Sequence, residues 1–201
     1  MKTMSVMWIR DVDLARVDAS LFLDVTTLPT TLTSTADATV TGTVLDSAAS
    51  DFTAAGVQPG HVVSTTLALL EVVEVLSPTA LRVSRLRCAD VDDLRPGPNQ
   101  TNAICTIRTF ERVMADVEFT VLRRLGVDAA TMALPADVRR LLVLESVARA
   151  FAAEGANRHT NESLDRRATL YAAWSRAAEA GLDRSSGEVM HTPGVTVLDR
   201  V

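Results

Sequence analysis

Residues 69–86 have the sequence LLEVVEVLSPTALRVSRL, in which two apolar runs flank a Ser-Pro-Thr segment at 77–79. The β-branched Val residues favour extended backbone, whereas Ser and Pro favour turns. In the second run, Leu81 and Val83 alternate with polar residues, which is the pattern of a strand with one buried and one solvated face. The stretch therefore predicts a β-hairpin and indicates that this half of the chain is β.

The sequence around this hairpin, residues 21–90, is rich in Val and Thr and contains several turn signals. Four to six short strands of this kind predict a small antiparallel β-barrel. Within residues 51–63, Phe52 and Val57 are expected to plug one end of the barrel as a lid, from a single helical turn. Residues 1–20 are predicted to be an N-terminal arm or an edge strand.

Beyond residues 91–102, which are rich in Asp, Pro and Gly and are predicted to be a linker, the hydrophobic period changes from two to about 3.6. Residues 103–182 are therefore predicted to form a three-helix bundle, so the chain is expected to be α+β. The residues expected to fill the bundle core are Ile107, Phe110, Met114, Val117, Leu141, Phe151, Tyr171 and Trp174.

The aromatic pair Tyr171 and Trp174, three residues apart on the third predicted helix, allows two interpretations. It forms either a partner-binding surface or part of the bundle core. The core interpretation is favoured, because the three helices together have few large side chains to fill their centre.

Composition and charge exclude several classes of protein. The 201 residues are 47% hydrophobic with a net charge of −5, so a dedicated nucleic-acid binder with a basic surface is not expected. No stretch approaches the roughly 18 apolar residues of a membrane span, and residues 1–10 do not resemble a signal peptide. We expect a soluble, intracellular protein in which Cys88 and Cys105 are reduced thiols.

Candidate catalytic and zinc-binding residues are few and dispersed. The histidines His61, His159 and His191 fall in turns or in the C-terminal tail, without the neighbouring nucleophile that a catalytic triad requires. Cys88 and Cys105 lack the short paired spacings of a structural zinc site. The sequence therefore predicts no enzymatic activity, no metal and no cofactor.

The charged clusters are likewise not predicted to form a ligand-binding site. They are Asp90, Asp92 and Asp93 in the linker and the arginine pairs at 123–124, 139–140 and 166–167. The aspartates lack the Gly and bidentate Glu of a calcium-binding loop, so a solvated acidic linker is expected. The arginine pairs point in different directions on a helix and have acidic neighbours, which favours solvated faces or ion pairs between subunits.

The C-terminal residues 183–201 have no periodic pattern but include Val195, Val197 and Leu198, followed by Arg200. A segment that cannot bury its own apolar residues suits docking on another chain, for example by strand addition. We therefore expect an extended docking tail, with disorder as the alternative interpretation.

Several segments resemble phage proteins. The segments LPADVRRL at 134–141, ARA at 148–150 and LDRRATLY at 164–171 resemble the helical core of head–tail connector (adaptor) proteins of long-tailed bacteriophages and gene transfer agents, and the terminal LDRV is similar to theirs. The segment FTAAGVQPG at 52–60 resembles a barrel segment of phage neck and tail-completion proteins, although His61 stands where that segment usually has an acidic residue.

This resemblance implies a structural virion protein that forms a homo-oligomeric ring, usually of twelve copies, in the neck between capsid and tail. The helices would surround a channel through which double-stranded DNA passes without specific binding. The tail residues Val195, Val197, Leu198 and Arg200 would dock on the portal protein, and stopper or tail proteins would bind elsewhere. The alternatives are another neck or tail-completion protein (stopper or terminator), a β-barrel binding module, and an enzyme with a site assembled from distant residues.

Overall fold

The computed structural model describes residues 8–126, 134–157 and 162–189, with side chains described up to residue 182. Six strands are present: β1 Thr30–Thr41, β2 Val44–Asp46, β3 Val62–Thr65, β4 Leu69–Ser77, β5 Ala80–Arg85 and β6 Gln100–Thr109. Five helices accompany them: α1 Asp11–Val17, α2 Leu21–Asp24, α3 Glu111–Leu125, α4 Ala136–Asn157 and α5 Glu162–Val189.

The strands form a closed antiparallel barrel in the order β1-β2-β5-β4-β3-β6. The predicted hairpin is confirmed, since β4 pairs with β5 in a register that places Val72 opposite Val83. The α+β class with a small antiparallel barrel is therefore confirmed. Phe52 and Val57, the predicted lid, are buried in the barrel core, and the backbone N–H of Val57 donates to the carbonyl of Phe52 at 2.9 Å.

The predicted boundary between linker and helical region is wrong. Residues 100–109 form β6, which closes the barrel by pairing with both β1 and β3. Ile107, which the sequence predicts in the bundle core, belongs to the barrel core instead. Cys105 of the same strand and Ala38 of the paired strand β1 are buried in the same core. The prediction failed because Ile107 and Phe110 are spaced as on one face of a helix. The same stretch also has the period of two of a strand, since residues 103, 105 and 107 all point into the barrel.

The helices share one core that also contacts the barrel. Of the predicted core residues in this part of the chain, six are buried: Phe110, Met114, Val117, Leu141, Phe151 and Tyr171. Barrel residues Val62, Leu69 and Leu86 pack against the same cluster. Trp174 is 49% exposed, so its prediction as a core residue is wrong.

Residues 8–24 contain two short helices, α1 and α2, where an arm or an edge strand is predicted for residues 1–20. Ile9, Leu14 and Leu21 of this segment are fully buried in the helical core. Glu118 of α3 fixes its start, because its Oε1 accepts hydrogen bonds from the backbone N–H groups of residues 8 and 9 at 2.8 and 3.1 Å. A helix of seven residues is too short to show a hydrophobic period in the sequence.

The predicted start of the tail at residue 183 is wrong, because α5 continues to Val189. The proposed docking residues Val195, Val197, Leu198 and Arg200 lie outside the described residues. Among the helices that are described, none is long and apolar enough to cross a membrane.

A buried carboxylate connects the barrel with α1. Glu71 of β4 is 2% exposed and accepts a hydrogen bond from Arg87 Nε and one of 3.1 Å from Arg16 Nη2. Arg16 also donates to Asp90 Oδ1 at 2.7 Å, and Arg10 donates to Asp90 Oδ2 at 2.5 Å. Asp90, directly before the predicted linker, is thus held against α1 by ion pairs.

Replacing Glu71 should therefore destabilise the protein strongly. Glu71→Ala leaves Arg87 buried without its carboxylate, for which we expect a loss of about 3 to 5 kcal/mol in the free energy of unfolding. The control is Glu74→Ala on the same strand, which breaks the exposed ion pair with Arg82 and should lose less than about 1 kcal/mol. Equal shifts of the two urea denaturation curves would contradict a structural role for the buried network.

Candidate interaction surfaces

The residues considered for chemistry in the sequence do not converge on one site within the described ranges. Cys105 lies in the barrel core, where burial raises the pKa of its thiol to about 12, and Cys88 is exposed. Asp92 accepts a hydrogen bond of 2.9 Å from a backbone N–H of its own loop. Across the part of the chain that the structure describes, no group of three or more His, Cys, Asp or Glu side chains is arranged to hold a metal ion. His159 and His191 lie outside that part.

At least one arginine of each predicted pair forms an ion pair within the chain. The ion pairs are Arg124–Glu179 at 2.7 Å, Arg139–Asp13 at 2.8 Å and Arg167–Asp24 at 2.8 Å. The second and third of these hold α1 and α2 against α4 and α5. These arginines, which the sequence predicts to lie on solvated faces or in ion pairs between subunits, thus form ion pairs within the chain.

His61 is partly buried, with 17% of its side chain exposed, and lies beside a fully buried carboxylate, Asp11 of α1. The Nδ1 atom of His61 accepts a hydrogen bond of 3.1 Å from the backbone N–H of Gln58, so in the neutral ring the proton is on Nε2. This Nε2 lies 4.0 Å from Asp11 Oδ2. Asp11 Oδ1 accepts a hydrogen bond of 2.8 Å from Phe110 N–H, whereas Oδ2 has no hydrogen-bond partner among the described atoms.

Burial favours the neutral form of both partners. It raises the pKa of Asp11 to about 7, against the opposing hydrogen bond from Phe110, and lowers the pKa of His61 to about 4. Around pH 5 to 6 the folded pair therefore binds one proton, on Asp11. The unfolded pair also binds one proton in this range, on the histidine. The arrangement joins α1 to the barrel and has no adjacent nucleophile.

An opening lies between the start of α4 and α5. We call it the Trp174 groove; its volume is about 500 Å³, and its lining residues are Asp137, Arg140, Trp174, Ala177, Ala178, Gly181 and Leu182. A Cβ atom on Gly181 would meet no atom within 4 Å, so the groove is open at this point. Small residues on α5 thus leave space beside a large aromatic ring.

Trp174 is held by a series of aromatic rings that begins in the core. Its ring meets the edge of Tyr171 at a centroid distance of 5.3 Å and an interplanar angle of 89°. Tyr171 in turn stacks on the buried Phe151 at 6.0 Å, and its hydroxyl donates to Asp18 Oδ2 at 3.0 Å. Burial and the Asp18 carboxylate raise the pKa of Tyr171 to about 12. The exposed ring is therefore attached to a rigid support.

A second exposed aromatic side chain, Phe119, lies on α3 and is 67% exposed. One helical turn towards the N-terminus is Asp116, whose carboxylate binds Arg149 at 2.5 Å but remains 68% exposed. One turn towards the C-terminus is Arg123, also exposed. We call Asp116, Phe119 and Arg123 the Phe119 surface; it contributes no residue to the lining of the Trp174 groove.

The two aromatic surfaces point away from the junction of their helices. The ion pair between Arg124 of α3 and Glu179 of α5 marks the sides on which these helices approach each other. At 3.6 residues per turn, positions five apart differ by about 140° around a helix axis. Phe119 therefore points well away from Arg124, and Trp174 well away from Glu179. The molecule has two different exposed aromatic surfaces on two different sides.

Phe119 is a functional candidate that the sequence analysis did not single out. The buried residues of α3 include Met114, Val117 and Val121, and Phe119 falls outside this apolar stripe. A large aromatic residue off the buried stripe of an amphipathic helix is itself a signal of a contact surface. For Trp174, the sequence favoured the core interpretation, whereas the structure places the ring at the surface.

The Asp11–His61 pair yields a prediction about pH. In Asp11→Asn, only His61 of the pair still titrates. Between about pH 4 and 6.5 it is protonated in the unfolded state but neutral in the folded state, so the free energy of unfolding should rise with pH across this window. In His61→Asn, only Asp11 of the pair still titrates. Between about pH 4 and 7 it is protonated in the folded state but ionised in the unfolded state, so the free energy of unfolding should fall as the pH rises. Each slope, relative to wild type, should be about 1 kcal/mol per pH unit.

Urea denaturation at several values between pH 5 and 6.5 measures these slopes. Other titrating groups are common to all variants, so the difference from wild type isolates the pair. The double variant should restore the wild-type slope, because it removes both opposing effects. Slopes of the same sign in the two single variants would show that the two side chains do not both become neutral on folding.

A comparison of the chain with protein-family models, with curated proteins and with solved structures found no significant match.

Proposed function

We propose that this protein is a head–tail connector subunit of a long-tailed phage or gene transfer agent, a structural protein that assembles as a ring between portal and tail. The observation that carries the proposal is the pair of different aromatic surfaces, at Phe119 and Trp174, on different sides of the helical region. A ring needs two different surfaces per subunit, because each subunit contacts its two neighbours head to tail.

In this proposal, α3, α4 and α5 form a three-helix bundle beside the DNA channel. A channel through which DNA slides should not bind phosphate tightly. The net charge of −5 is consistent with this requirement. The ion pairs of Arg139 and Arg167 with the aspartates of α1 and α2 are also consistent with it, because they offset the positive charge of these guanidinium groups.

The portal is the proposed partner of the extended C-terminal tail. Val195, Val197 and Leu198 are its apolar anchors, and Arg200 adds a charged contact. Because α5 continues to Val189, the part available for docking starts at about residue 190. A segment of this length and composition suits strand addition or insertion between portal subunits.

A second candidate is a neck or tail-completion protein that binds its partner through the barrel. The observation favouring it is the exposure of Ile104 on β6 and Leu67 in the turn after β3, at 62% and 65%. Gln100 connects these two segments, because its Oε1 accepts a hydrogen bond of 3.2 Å from Leu67 N–H. The barrel therefore has an apolar surface of its own.

Electron microscopy of the purified protein, alone and mixed with portal protein, tests the connector proposal. We expect rings, about twelvefold, that stack on the portal. Deletion of residues 190–201 should preserve the helical circular dichroism and the rings but abolish portal binding. A protein that neither forms rings nor binds portal would overturn the proposal, and normal portal binding after the deletion would overturn the role of the tail.

The double variant Ile104→Ser with Leu67→Ser distinguishes the second candidate. Both side chains are exposed, so the substitutions should leave the fold intact. If the barrel is the main binding element, this variant loses its partner while the deletion of residues 190–201 keeps it. The connector proposal predicts the opposite result for portal binding.

A further inference from the structure

We infer that Phe119 of one copy of this chain inserts into the Trp174 groove of the next copy, so that these two surfaces are the subunit contact of the ring. The inference rests on the proposed ring and names the residues that hold it together. The groove and Phe119 lie on different sides of the same chain, so Phe119 cannot insert into the groove of its own copy.

Shape is the first argument. The groove has a volume of about 500 Å³ next to the indole ring of Trp174, and no atom lies within 4 Å of the position that a Cβ of Gly181 would take. Phe119 is the most exposed aromatic side chain among the described residues, at 67%. An inserted phenyl ring would contact the face or edge of Trp174, an arrangement that aromatic pairs favour. Tyr171 and Phe151 hold the indole in place, so little side-chain freedom is lost on binding.

Charge is the second argument. On the rim of the groove, Asp137 and Arg140 are both exposed and lie three residues apart, on one side of α4. Phe119 is likewise flanked by one cation, Arg123, and one anion, Asp116. No ion pair within 4.0 Å joins Arg123, Asp137 or Arg140 to another described residue. Insertion of Phe119 between opposite charges lets Arg123 face Asp137 while the exposed carboxylate of Asp116 faces Arg140.

The geometry favours a head-to-tail contact over a symmetric dimer. A twofold symmetric dimer could fill both grooves only if Phe119 and the groove lay on one side of the subunit, so that each copy inserts its Phe119 into the other. Phe119 and the groove instead point away from the Arg124–Glu179 ion pair on different sides of the helical region. A contact between unlike surfaces therefore leaves one Phe119 and one groove available at the ends, and further copies can add head to tail.

Two variants test the two halves of the proposed contact one at a time. Phe119→Asp removes the inserted side chain and keeps the groove, whereas Gly181→Leu fills the groove and keeps Phe119. Each substitution is at an exposed helical position, so folding should be retained, and circular dichroism verifies it. Each variant alone should associate at least about tenfold more weakly than wild type by sedimentation velocity, as expected for the centre of an interface. Val91→Asp, at an exposed loop position outside both surfaces, is the control and should associate like wild type.

Mixing the two variants gives the decisive result. The Phe119→Asp chain supplies an intact groove and the Gly181→Leu chain supplies an intact Phe119, so one productive contact forms. The mixture should give a 1:1 heterodimer of twice the 21.6 kDa chain mass and nothing larger. Absence of this heterodimer at concentrations where wild type associates would overturn the inference. A symmetric interface would limit wild type to a dimer, whereas the head-to-tail contact lets wild type form larger species, so a wild-type protein that stops at a dimer would also overturn it.

The charge pairing has its own test in the full chain. Arg123→Glu should weaken self-association, and adding Asp137→Arg to the same chain should restore it, because every subunit contact then has the pair reversed. Failure of the second substitution to restore association would overturn the pairing of these two residues.

The outcomes also separate this inference from the proposed function. Rings that persist in Phe119→Asp and Gly181→Leu would overturn the inference and leave the connector proposal standing. A head-to-tail assembly that depends on both residues but never binds portal would support the inference and count against the connector.

Discussion

The junction between β6 and α3 is the constraint on which the rest of the structure depends. β6 ends at Thr109 and α3 begins at Glu111, so a single residue, Phe110, separates the barrel from the helices. Phe110 is buried in the helical core, packs edge-on against Phe22 at 5.1 Å, and donates its backbone N–H to Asp11. The helices cannot rotate freely against the barrel, because this connection has no slack and is covered by the N-terminal helices.

The N-terminal helices complete this junction with charge as well as apolar contact. Asp11 and the ion pairs of Arg16 with Glu71 and Asp90 join α1 to the barrel side. The ion pair of Arg139 with Asp13 joins α1 to α4. Buried ionic groups of this kind stabilise a fold weakly in total, but removing one partner is strongly unfavourable. They therefore hold α1 against both the barrel and α4.

The sequence predicts the elements whose pattern is local and long enough to be distinctive. The hairpin at residues 69–86 and the buried stripe of α3 from Met114 to Val121 are examples. β6 was missed because Ile107, Phe110 and Met114 also match helical spacing, so the strand was assigned to the following helix. α1 was missed because seven residues show no clear period. Its buried position depends on contacts with residues about a hundred positions away.

The candidate surfaces were harder to predict than the fold, for a related reason. Whether an aromatic residue lies in the core or on the surface depends on which neighbours pack over it. Tyr171 and Trp174 are three residues apart, yet Phe151 covers the first and leaves the second exposed. The arginine pairs present the same difficulty, since the aspartates that bind Arg139 and Arg167 come from α1 and α2.

The way in which β6 closes the barrel also affects the order of folding. Until residues 100–109 leave the ribosome, β1 and β3 each have an unpaired edge, and such edges are templates for association with other chains. The contacts between β1 and β6 span about seventy residues, so they form slowly compared with the hairpin of β4 and β5. The polar threonines and serines that line β1 provide a means of keeping the nascent chain in solution during that interval.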